Sequence, residues 1–165
     1  IIAMRTRNTR RGRMAILTLD DQSAWLEIPI YSELYESNKQ LLQEDRLVII
    51  SGKAGYDDFT GGTRVTAERI HDMDSARETF STDLRITLKK KVEDAVEGLQ
   101  AALQPVKGGS TPVIIDYMNE EARASIHLPR EWCVHPSARL LDELNKLPVV
   151  SKAVCEYDAA GARMN

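Results

Sequence analysis

The chain has 165 residues, 42% hydrophobic and 28% charged, with a formal net charge of −3. That is room for one ordinary domain or two small ones, each with a buried core. No apolar run approaches the roughly 20 residues of a membrane-spanning helix, and the basic start is not followed by the apolar stretch of a signal peptide, so a cytoplasmic chain with no membrane partner is expected. Cys133 and Cys155 lie far apart in apolar segments, which suits reduced core cysteines rather than a disulfide framework.

The chain opens on strand-like Ile1-Ile2-Ala3-Met4 with no starter methionine, and we expect a piece of a longer protein. Between this run and Met14-Ala15-Ile16-Leu17 lie Arg5, Arg7, Arg10, Arg11 and Arg13 without an acid. These five charges leave −8 on the remainder, so the basic charge is local, and it reads as a basic loop joining two strands.

Met14 to Leu19 and Trp25 to Tyr31 are apolar-rich runs joined by Asp20-Asp21-Gln22-Ser23, a hairpin connection. In the second run Leu26, Ile28 and Ile30 share one face, and Pro29 points to a strand near an edge. Leu34, Tyr35, Leu41 and Leu42 predict a short helix from Ser32, with Ser32 as its cap. Strands resume over Arg46 to Lys53 and Thr63 to Ile70 around the turn Asp57-Asp58-Phe59-Thr60-Gly61-Gly62. The order β-β-β-α-β-β is that of the five-stranded OB-fold barrel, whose first and fourth strand connections flank the ligand face.

From Met73 the pattern changes. Residues 73–83 read as a connector between an OB-fold nucleic-acid-binding domain over 1–72 and a second domain over 84–165. Leu84 to Leu88 alternates as a strand, and Val92, Val96, Leu99 and Leu103 recur at helical spacing up to Pro105. Strands over Val113 to Tyr117 and Ala124 to Leu128 follow, with Trp132-Cys133-Val134 as another short one. Pro136-Ser137 opens a helix carrying Leu140, Leu141, Leu144 and Leu147, and Val149 to Tyr157 gives a last strand. The order β-α-β-β-α-β predicts a small ferredoxin-like sandwich. The fold class is therefore α+β.

Guanidinium groups keep their charge and present a fork of donors that suits phosphate oxygens. On the first ligand loop of an OB-like order they point to nucleic acid, with Arg5, Arg7, Arg10, Arg11, Arg13 and Arg64 as contacts, Tyr56 and Phe59 as stacking partners for bases, and Trp25 and Tyr31 on the third strand as further aromatic candidates that could instead be core or rim. Asp57 and Asp58 beside that path would moderate the affinity. No catalytic residue, cofactor or metal site is expected. The aspartate pairs sit in turns, the three histidines have no zinc-like spacing, and neither a phosphate-binding Gly-Lys-Ser/Thr loop nor a Gly-x-Ser-x-Gly turn occurs.

Thr9-Arg10-Arg11-Gly12-Arg13-Met14-Ala15-Ile16-Leu17-Thr18-Leu19-Asp20-Asp21, then Leu26-Glu27, Glu44-Asp45-Arg46 to Ser51-Gly52 and Asp57-Asp58-Phe59-Thr60-Gly61-Gly62 resemble the OB domain of the bacterial DNA polymerase III alpha subunit family. Met73 to Arg77 and Trp132-x-Val134-x-Pro136-Ser137-x-x-Leu140-Leu141 extend the resemblance over nearly the whole chain. It implies a non-catalytic C-terminal region that contacts single-stranded template DNA and docks the tau subunit of the clamp loader. The parent chain would be a DNA-directed DNA polymerase, a nucleotidyltransferase with its catalytic aspartates in the remainder of the polymerase chain. The resemblance assigns tau contact to the region Ser137 to Tyr157 and the tail behind it, where Val149, Val150 and Tyr157 are the apolar candidates. A stand-alone DNA- or RNA-binding module and an architectural protein-interaction domain are the alternatives.

Overall fold

In a computed structural model of the chain, residues 1–57, 61–89, 95–118 and 122–158 are described. The chain divides into two compact units, Ile1–Met73 and Asp74–Asn165. Strands predominate, with four α-helices among the described residues.

The first unit begins with an antiparallel meander of β1 (Ala3–Thr9), β2 (Gly12–Asp20) and β3 (Trp25–Ile30). The helix α1 (Ser32–Asn38) follows, and then an antiparallel hairpin of β4 (Ile49–Asp57) and β5 (Gly62–His71). Strand alternation sends Ala15, Leu17, Ile28 and Ile30 to one side, where they form a core with Ile1, Tyr35, Leu42 and Ile70. The predicted element order is present, but the five strands do not close into a barrel. They form one three-stranded and one two-stranded sheet, open among the described residues, that share this core without a hydrogen-bonded pairing between them.

Two expectations are corrected here. The arginine segment is mostly strand rather than loop, because β1 and β2 pair as far as Thr9 and Gly12 and leave only Arg10 and Arg11 in the turn. Ser32 does not cap α1. Tyr31 holds the cap position with no side-chain cap bond, and Ser32 is the first helical residue. The Asp20-Asp21 turn follows local hydrogen bonding. Asp20 accepts from the Gln22 N–H, and Asp21 accepts from the Ser23 hydroxyl and N–H and the Ala24 N–H. Those bonds, the Ser23 hydroxyl first, lower the Asp21 carboxyl to about 2.

The second unit has the strand order β10-β6-β8-β9, from β6 (Ser81–Leu88), β8 (Val113–Met118), β9 (Arg123–His127) and β10 (Val150–Tyr157). β6 and β8 are parallel neighbours, with Leu84 opposite Val113 and Ile86 opposite Ile115. A ferredoxin-like sandwich has a split β-α-β unit, which would insert β9 between them. That expectation is overturned, and residue chemistry explains it. β8 opens with the continuous apolar run Val113-Ile114-Ile115, suited to an inner strand. β9 is exposed at every position and suits an edge.

The helices α3 (Ala95–Leu103) and α4 (Ala138–Lys146) bury Leu99, Leu103, Leu140 and Leu144 against Leu84, Ile86, Val113 and Cys155. Val92 lies outside the described residues, and Val96 is exposed rather than part of that stripe. Ser137 caps α4 by accepting from the Leu140 N–H. Trp132 ends a 3-10 turn instead of starting a strand, and Val134 makes bridges to both ends of β7 (Lys107–Thr111). Gly109 permits this approach, since a Cβ there would lie 2.1 Å from the Val134 carbonyl oxygen.

The helix α2 (Met73–Phe80), in the segment read as a connector, is bonded into the second unit. Asp74 accepts from the Ala138 N–H at 3.2 Å. The Glu78 carboxylate lies 2.9 Å from His135 Nδ1 and accepts from the Ser110 N–H. The His135 bond chiefly, then Ser110, holds Glu78 below the usual carboxylate range against its partial burial. A lowered native value means stability that is present above the ordinary carboxylate value and fades as pH falls through the native one. We therefore expect Glu78→Gln to lower the urea midpoint near neutral pH. The gap to the parent should narrow as pH drops from about 5 to about 3.

Candidate nucleic-acid interface

The alternation that buries Ala15, Leu17, Ile28 and Ile30 turns the other parity outward. Arg5 stands opposite Ile16, which stands opposite Pro29, while Arg7 faces Met14 and Asp20 faces Trp25. The outer face of the three-stranded sheet therefore carries Arg5, Arg7, Met14, Ile16, Trp25, Glu27 and Pro29. Trp25 is 69% exposed and Tyr31, just beyond β3, is 46% exposed. A cleft of about 550 Å³ on this face is lined by Ile16, Trp25, Glu27, Pro29, Tyr31 and Arg64, among others. Arg64 donates to the Tyr31 hydroxyl at 2.9 Å and so fixes the ring's polar end.

The turn beside this face is built to hold its arginines. Gly12 takes φ +110°, a left-handed backbone that glycine alone adopts without strain. Thr9 donates through its hydroxyl to the Gly12 carbonyl at 2.7 Å and accepts from the Arg11 N–H. The Ser32 hydroxyl donates to the Arg11 carbonyl at 2.8 Å, which ties the turn to α1. A second cleft, of about 370 Å³, lies between Arg10, Arg11, Met14 and Tyr31. Tyr31 is thus a wall common to both clefts.

The expected nucleic-acid residues do not form one patch. Arg5 is ion-paired with Glu27. Arg7, Arg10 and Arg11 have no ion pair among the described residues. Arg13 has the parity of Ala15 and Leu17, and its guanidinium donates to the Thr6 hydroxyl at 3.1 Å, so it faces away from Arg5 and Arg7. Tyr56, on β4, is 72% exposed, whereas Phe59 lies outside the described residues. Trp25 and Tyr31, the aromatic candidates of the third strand, face outward, and Glu27 beside them was not among the expected contacts. The signal for it was present, since placing Leu26, Ile28 and Ile30 on one face obliges the intervening residues to take the other.

In the second unit Val150 is 2% exposed and belongs to the core, so it is not a surface contact. Val149 is half-buried against that core, and Tyr157 is exposed at the end of β10. Burial raises both the Tyr157 hydroxyl and the neighbouring Cys155 thiol. Among the described residues no group of three or more His, Cys, Asp or Glu side chains could hold a metal ion. No helix among the described residues is long and apolar enough to cross a membrane.

The family described as DNA polymerase III subunit alpha, C-terminal domain, matches residues 98–147. Over 161 residues, 96% of the chain, the sequence is 37% identical to the DNA polymerase III subunit alpha of Escherichia coli K12 and covers 14% of it. The corresponding protein of Vibrio cholerae is 38% identical over 150 residues, 89% of this chain and 13% of the relative. That of Pseudomonas aeruginosa is 31% identical over 147 residues, 87% and 12% of the two chains. The chain thus matches a small part of each relative, and the family match falls in the second unit.

The Gly12 backbone generates a direct expectation for this site. In Gly12→Ala the new Cβ would meet the Ser32 Cβ at 3.0 Å in a strained φ. We expect the first unit to lose about 1–3 kcal/mol in urea unfolding.

Proposed function

We propose that this chain, a relative of the C-terminal part of bacterial DNA polymerase III alpha subunits, is a non-catalytic region of a replicative polymerase that contacts single-stranded DNA through its first unit. The observation that carries the reading is the outer face of β1 to β3, where Tyr31 stands exposed beside Arg10 and Arg11 and Trp25 stands exposed toward the other end of the same face. Every base has a stacking face, and stacking on an aromatic side chain is worth about 1–3 kcal/mol per base. The turn arginines supply phosphate contacts. Neither reads base edges, so binding is salt-sensitive and nearly indifferent to sequence. An OB-like arrangement suits this use. The order β-β-β-α-β-β around one core favours it, with the two sheets as a barrel left open.

Polymerisation belongs to the remainder of a longer chain, in keeping with the small share of each relative matched here, and the setting is the cytoplasm. In a titration of fluorescent single-stranded DNA we expect affinity to fall with salt. Arg10→Ala with Arg11→Ala should weaken binding and reduce the log–log salt slope by about 1.4, at about 0.7 per phosphate contact. Binding by the double variant equal to that of the parent overturns the arginine assignment.

The second unit docks the tau subunit of the clamp loader, a reading that rests on the family resemblance. Removing the chain from Ser137 onward would test folding rather than docking, because Leu140, Leu144 and Val150 are core residues. A surface substitution is the cleaner probe. We expect Tyr157→Ala to reduce co-elution with tau by several-fold while leaving DNA binding unchanged, and unaltered co-elution would move the contact off β10.

A further inference from the structure

We infer that Glu27 sets the path of the single strand: it pairs with Arg5 and withholds that cation from phosphates on the Trp25–Tyr31 face, so that bases occupy that face and the backbone runs over the turn arginines. The inference rests on the single-strand reading above. Glu27 lies in the row Trp25, Glu27, Pro29 on the outward side of β3 and lines the same cleft as Trp25, Tyr31 and Arg64. Its carboxylate is therefore within the surface that a strand would cover. Paired with Arg5, that carboxylate leaves no net charge there, so a phosphate oxygen gains little by settling on this part of the face.

The partner of Glu27 completes the argument. Arg5 comes from β1 on the same outward parity and closes an ion pair with Glu27. Arg5 is thus the one arginine of the β1–β2 hairpin with a carboxylate partner among the described residues. Its charge is spent on the face, not offered to the ligand. Both side chains are well exposed, 66% and 45%, so the pair adds little to the fold. Arg7, two residues along the same strand, has no such partner among the described residues and lies nearer the turn. The face is consequently divided, with a neutralised, aromatic end around Trp25 and Glu27 and a cationic end around Arg7, Arg10 and Arg11.

The test is a double-mutant cycle on this chain with a labelled oligothymidine, each variant checked by circular dichroism melting. Glu27→Gln should tighten binding by about three- to tenfold at 50 mM salt and steepen the salt slope by about 0.7, the signature of one further phosphate contact. Arg5→Ala alone should leave binding within about twofold of the parent. In the Arg5→Ala background most of the gain from Glu27→Gln should disappear. A neutral Glu27→Gln in a parent that binds DNA overturns the inference while leaving the single-strand reading intact. So does a gain that persists in full without Arg5, or an Arg5→Ala loss as large as that of Arg7→Ala. A parent chain that binds no single strand at 50 mM salt overturns both.

Discussion

The first unit depends on the two-residue period of its three-stranded sheet. Once Ala15, Leu17, Ile28 and Ile30 fill the core, the positions between them have no choice of side. Slipping β3 by a single residue would bury Glu27 and expose Ile28 and Ile30, so register here is held by a penalty of several kcal/mol rather than by any one bond. The interface is thus a by-product of core packing. What the core does not dictate is the turn, and there Gly12, Thr9 and Ser32 supply the local bonds that place Arg10 and Arg11 beside Tyr31.

The second unit answers to a different constraint. Its sheet is covered by α3 and α4 on one face, while the other carries a polar cluster in which Arg85 donates to Asp116 at 3.0 Å and Ser125 also donates to Asp116. The Ser125 bond first and then the Arg85 bond hold the Asp116 carboxyl below its usual range. Such a face cannot hold a third layer of apolar packing, so the helices crowd one side. The parallel β6–β8 pair then needs a crossover, which α3 and the β7 segment provide.

Much of this was legible in the amino-acid sequence, and the reasons separate cleanly. Element order was legible because strand and helix periods differ, and the hairpins were legible because aspartate and glycine mark turns. Closure of a barrel was not, since it depends on hydrogen bonds between strands distant in sequence, to which a local period is blind. The order of β8 and β9 was misread although their compositions differ. An apolar triplet, Val113-Ile114-Ile115, asks for an inner position, and a polar strand of five residues asks for an edge. Val150 looked like a surface valine because its strand also carries Lys152 and Glu156, but alternation with a register shift puts it inside. The candidate site was half legible. The arginines announced themselves by charge, whereas Trp25 and Tyr31 could be named as aromatic candidates but placed outside the core only through the parity of their paired strand.

A chain of net charge −3 does not attract DNA as a whole, so the proposed contact has to be local and correctly oriented. Arg10 and Arg11 satisfy this, because they occupy the turn beyond the last paired residues of β1 and β2. The geometry also limits affinity. Few phosphates can be touched at once by a two-residue turn and one strand arginine, and with the loss of affinity per contact on raising salt, such an interface releases its strand readily. Under the proposed function, a weak, reversible grip of this kind suits a surface over which a template keeps sliding, and it gains strength only when another binding element holds the same chain nearby.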